Sequence, residues 1–141
     1  MSVVIVIGEA ESTRFDGLRA RHLRLSRSPA FPNDIRPQRN GLQVANGVWE
    51  HFLARTELRE ALYGAGGMLA IRPGLVGLRP SHLAPLRTAL IRYPRTRRPG
   101  YWTVGDELPS VYDGDLARLI WLAWWTEWAI ASCTHPVIQN Y

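Results

Sequence analysis

Two arginine-bearing segments hold the residue types best suited to recognition chemistry. The first reads Arg92-Tyr-Pro-Arg-Thr-Arg-Arg-Pro-Gly-Tyr-Trp and sets Arg92, Arg95, Arg97 and Arg98 among Tyr93, Tyr101 and Trp102. A guanidinium is a planar fork that matches phosphate and carboxylate oxygens two at a time. Aromatic rings can stack on unpaired bases or on guanidinium planes. Pro94 and Pro99 should hold the segment extended and keep its charges at a surface. The second segment runs from Ser26 to Asn40 and offers Arg36 and Arg39, with Pro32 and Pro37 stiffening it. A stiff loop loses less entropy when it binds. Each segment also has a plainer reading. The first could be a solvated loop in an arginine-biased protein, and the second a structural loop packed by Phe31 and Ile35.

Groups that could carry catalysis are few. Glu127 lies within Trp-Trp-Thr-Glu-Trp, where indoles could raise a carboxyl pKa and make it a general acid. Pairing with an arginine is the plainer role. Cys133 and His135 are two residues apart beyond a helical pattern, a spacing at which thiol and imidazole seldom converge. His22, His51 and His82 are scattered and fit no metal-ligand spacing. No Walker A loop, G-x-G-x-x-G, G-x-S-x-G or H-E-x-x-H is present. The expectation is a chain with no catalytic residue, no metal and no small-molecule cofactor.

Charge narrows the partner class. The formal balance is +5, the sequence pI is about 10.1, and all 17 basic side chains are arginine. Such a surface favours polyanions: an acidic protein face, a protein–nucleic acid complex, or nucleic acid itself. Arginine-favouring codons of a GC-rich genome would give the same bias. The single cysteine, Cys133, leaves no disulfide framework and suggests a reducing compartment, with the cytoplasm as the expected location. Met1 to Ile7 lacks the basic flank of a signal peptide.

These segments need a scaffold, and one stretch can supply its centre. Leu116 to Ala131 contains only Arg118, Thr126 and Glu127 as polar residues. Trp121, Trp124, Trp125 and Trp128 recur at i, i+3, i+4 and i+7, which places the indoles on one helical face. A helix apolar on nearly every side is a buried helix. It is too short, and too charged at Arg118 and Glu127, to be expected to cross a membrane. Asp113 or Asp115 should cap it.

The other elements are read as follows. Val3 to Ile7 is β-branched and reads as a buried strand. Phe15 to Leu25 reads as a helical turn followed by a strand. A helix is expected over Val44–Ala54, a second over Glu57–Tyr63 capped by Thr56, and a third over His82–Arg92 capped by Ser81. Met68 to Ile71 and Tyr101 to Val104 are strand candidates, Leu75 to Leu78 a short extended piece, and Val137 to Tyr141 a tail.

The sum is an α+β fold in one domain spanning residues 1–141, with a small sheet packed on three or four helices around the tryptophan helix. The expected function is non-enzymatic binding. The chain would dock to a larger macromolecular assembly through Arg92, Tyr93, Arg95, Arg97, Arg98, Tyr101, Trp102, Arg36 and Arg39. That role would suit a phage-encoded accessory protein, such as an inhibitor of host machinery or a virion component. Direct nucleic-acid binding is the alternative. A small enzyme with a carboxylate/His site is the third reading.

Overall fold

The computed structural model describes residues 1–10, 23–24, 35–71, 73–101 and 111–141. The expectations for Trp102, for Phe31, for Phe15–His22 and for the strand from Tyr101 to Val104 fall wholly or largely outside them. The fold is mixed α+β, an antiparallel sheet with four helices and a tryptophan-rich helix near the C-terminus.

Strand β1 (Ser2–Ala10) is the spine of the sheet. Its β-branched run disfavours helix and suits a strand covered on both sides. On one flank it pairs with β2 (Leu23–Arg24) near its end and with β3 (Gly41–Ala45) along its first half. On the other flank it pairs with β7 (Pro136–Asn140), which in turn pairs with β4 (Gly74–Gly77). Every pairing in this sheet is antiparallel. Helix α1 (Asn46–Thr56), the short α2 (Arg59–Tyr63), α3 (Pro80–Arg92) and α4 (Gly114–Ser132) complete the core with it. A separate two-residue pair, β5 (Arg98–Pro99) and β6 (Tyr112–Asp113), lies just before α4.

Helix α4 packs on β1, β7, α1 and α3. Trp121 and Trp125 are fully buried beside Leu116, Ala117, Leu119 and Leu122. Trp124 and Trp128 sit at the margin of the core. Four indoles at these spacings fan over about 100° of helix surface. Trp125 meets Trp124 and Trp128 edge to face, with ring centroids 4.8 and 5.4 Å away.

Several local expectations are corrected. Val137–Tyr141 is no tail: Pro136–Asn140 is the central strand β7, with Ile138 in the main core and Val137 packed on Ala10 and Leu75 on the other side. Two adjacent apolar residues gave no alternation to read. Val44 belongs to β3, whose buried Leu42 and Val44 alternate with exposed Gln43, so α1 starts two residues later than expected. Thr56 ends α1 and its hydroxyl donates to the Phe52 carbonyl, a bond that competes with capping the next helix. Ser81 lies inside α3; the backbone N–H of Arg79 instead donates to His82 Nδ1 at 3.0 Å. Met68 and Leu69 are buried but not in a strand, and Asn140 Nδ2 holds the next carbonyl, that of Ala70, at 2.7 Å.

Candidate functional site

The residues from Ile35 to Asn40 form a pinned loop. Ile35 is buried. The Trp121 indole donates to the Arg39 carbonyl at 2.9 Å. Asn40 is bracketed against Ile7: it accepts from the Ile7 N–H at 3.0 Å and donates through Nδ2 to the Ile7 carbonyl at 2.8 Å. The loop backbone is thus tied to α4 and β1, while the side chains of Arg36 and Arg39 stay exposed. Neither guanidinium has a carboxylate within salt-bridge distance among the described residues.

These two arginines line a cavity of about 720 Å³, whose other walls include Gln43 of β3, Tyr101 and Arg118 of α4. The cavity joins parts of both sequence-predicted segments, since Arg36 and Arg39 come from one and Tyr101 from the other. Arg118 lies over the Tyr101 ring, with its Cζ 4.9 Å from the centroid. Gly114 leaves room for this approach: a Cβ there would stand 3.0 Å from Arg118 Nη1 and 3.3 Å from Tyr101 Cε1, and these side chains would have to give by a few tenths of an ångström. Tyr101 Oη and Arg118 Nε are buried and have no hydrogen-bond partner among the described residues. Burial raises the Tyr101 phenol pKa, the Arg118 charge opposing. It therefore remains a neutral donor beside the guanidinium.

A second depression, of about 330 Å³, adjoins the first through Arg118 and is lined by His51, Arg55, Arg97, Asp113 and Asp115. Asp113 caps α4, accepting from the N–H groups of Asp115 and Leu116 at 3.1 Å each. It also accepts from the Tyr93 hydroxyl at 2.8 and 3.0 Å. Arg55 and Arg97 stand 3.6 and 3.9 Å from it. Asp115 takes His51 Nδ1 at 2.7 Å and Arg118 Nη1 at 3.3 Å. Both aspartates are buried, and these donors and cations satisfy their oxygens.

Tyr93 corrects the picture of an exposed stacking ring. It is 6% exposed, its hydroxyl is committed to Asp113, and Arg55 lies over its ring at 5.2 Å. Arg97 is half-exposed and leans on Asp113, Arg98 is exposed on β5, and Arg92 and Arg95 are exposed. Arg92 lines a third depression with Arg55 and Tyr93, about 490 Å³ in volume. Sequence reading missed His51, Arg55, Asp113 and Asp115 as parts of one network, and missed Arg118 as part of the face. The signal for Arg118 was present: a lone arginine in the first turns of an otherwise apolar helix must find a partner.

The other candidates resolve simply. Glu127 is exposed and pairs with Arg87 at 2.9 Å. The Cys133 thiol is pushed up to about 11, first by burial and then by Glu9, so little of it is thiolate at neutral pH. His51 on Asp115 has the form of a general-base pair, with the imidazole largely exposed. No Ser, Thr or Cys among the described residues lines its depression. Among the described residues no group of three or more His, Cys, Asp or Glu could hold a metal ion. No helix there is long and apolar enough to cross a membrane. No family model matches the chain, and no curated protein or solved structure is significantly similar to it.

Proposed function

We propose that this chain is a binding protein, without catalysis of its own, that docks to an anionic surface of a larger macromolecular assembly. The observation that carries the reading is the pair Arg36 and Arg39, held on a pinned loop at the mouth of a cavity of about 720 Å³ with no carboxylate in salt-bridge distance among the described residues. An unneutralised guanidinium on a rigid backbone is ready for a carboxylate or phosphate at small entropic cost. Arg92 and Arg95 extend the positive field beyond the cavity. Such docking suits an accessory protein, an inhibitor of cellular machinery or a virion component. Direct nucleic-acid binding draws on the same arginines and is separated from it by experiment.

The test compares the wild type with the double variant Arg36→Ala/Arg39→Ala in affinity capture from lysate, with and without nuclease. Titrations with single- and double-stranded DNA and RNA at low salt run alongside. A nuclease-resistant protein partner, kept by the wild type and lost by the variant, is the expected result. Tight, steeply salt-dependent oligonucleotide binding would move the assignment to nucleic acid. Equal capture by a folded double variant would remove this face from the function.

A further inference from the structure

The cavity has a wall that a simple charge-binding site would not need. Strand β3 forms it, with Gly41, Leu42 and Gln43 lining the space. Among the described residues β3 pairs with β1 alone, and none of them forms a ladder with its second edge. The orientation of that edge follows from the bonds around it. Val4 faces β7, because its carbonyl accepts from the Tyr141 N–H at 3.0 Å. Ile7 faces the β3 side, since its N–H donates to the Asn40 carbonyl. Backbone polar groups alternate sides along a strand, so Val3 and Ile5 also face β3. Their partners are Val44 and Leu42. The N–H and C=O groups of Gly41, Gln43 and Ala45 therefore point away from β1, toward the open edge.

We infer that β3 is a docking edge for an extended, acidic segment of a partner protein, which adds to the sheet as a strand and sets its carboxylates against Arg36, Arg39 and Arg118. This rests on the docking role proposed above and assigns the kind of partner. Two independent features meet here. The open edge supplies main-chain donors and acceptors at strand spacing, which a peptide backbone matches and a phosphodiester backbone does not. The guanidiniums beside it supply the complementary charge. A strand's side chains alternate, so acidic residues at every second position would all face the arginines.

The test uses three fluorescent probes of equal charge against the full chain. They are an alternating Glu-Val peptide, the same peptide N-methylated at every second residue, and a single-stranded oligodeoxynucleotide. Strand addition predicts that the first binds at least tenfold more tightly than the other two. It also predicts slowed amide exchange at Gly41, Gln43 and Ala45. Ala45→Pro provides a variant that removes one edge donor without disturbing the β1 ladder. The backbone there already has φ −59°, which proline adopts unstrained. Its expected effect is an affinity about fivefold lower for the first peptide and unchanged for the oligonucleotide. Equal binding of all three probes, lost in Arg36→Ala/Arg39→Ala, would overturn strand addition and leave the arginine docking face standing. Binding of none of the three would overturn the acidic-strand assignment, and an unchanged nuclease-resistant capture would then show the docking reading surviving it.

Discussion

Two arginine clusters share Arg118, and they differ in what neutralises them. Around the start of α4, Arg55, Arg97 and Arg118 face the buried carboxylates of Asp113 and Asp115. There the cations serve the fold, because buried aspartates without them would carry a large desolvation cost. On the neighbouring loop, Arg36 and Arg39 face a cavity, and the backbone beneath them is held by Trp121 and Asn40 instead. The same residue type is structural in one place and available in the other. Position in the linear chain does not separate the two cases: Arg97 lies in the most basic segment, yet leans inward. What separates them is the presence of a buried acid.

The sharpest way to break this comparison is to remove the acid. Asp113→Ala deletes the cap of α4, strips the Tyr93 hydroxyl of its acceptor and leaves Arg55 and Arg97 without their counter-charge. Breaking a buried charged network from one side costs about 3–5 kcal/mol. Urea unfolding should show a loss of that order. A loss below about 1 kcal/mol would mean that the network contributes little, and the two clusters would be alike.

Alkaline titration probes the same network more gently. Burial, then the hydrogen bond to Asp113 and its charge, push the Tyr93 phenol pKa well above its ordinary value of 10.0, with Arg55 opposing. Below about pH 10 both states hold the proton and the stabilisation is complete. Above it the unfolded chain loses its proton first, so stability falls as pH rises, by at most about 1.4 kcal/mol per pH unit for one group. Tyr101, Tyr63 and Cys133 are raised as well and add to the slope. Tyr93→Phe should flatten it by one proton's share and cost about 2 kcal/mol at neutral pH, through the lost hydrogen bond to a charged acceptor. An unaltered slope between pH 10 and 12 in that variant would contradict the assignment.

Legibility in the sequence followed the range of the physics. The α4 helix could be read because its own apolar pattern and Asp113 cap are local, and β1 because five β-branched residues stand together. The strand β7 could not, since Val137 and Ile138 become a strand only by lying between β1 and β4. Of the candidate face, Arg36, Arg39 and Tyr101 were named from residue type alone. Their meeting depends on Trp121 reaching a carbonyl 82 residues away, which no spacing rule encodes. Tyr93 was misplaced for the same reason: Asp113, its acceptor, is 20 residues further on.

The smallest effect is the most discriminating. Arg36→Ala/Arg39→Ala, which should abolish docking, should leave the unfolding free energy within about 0.5 kcal/mol of the wild type. The loop does not depend on these side chains for its shape: Ile35 is buried beside them, and the Trp121 and Asn40 bonds involve backbone carbonyls and an amide. Neither guanidinium has an acid to lose among the described residues, and two like charges on one short loop repel, which offsets part of any loss. A loss above about 1 kcal/mol in urea unfolding would reveal that the two arginines are bound into the fold after all. In that event both clusters would be structural, and the protein would hold no spare positive charge on this loop with which to meet a partner.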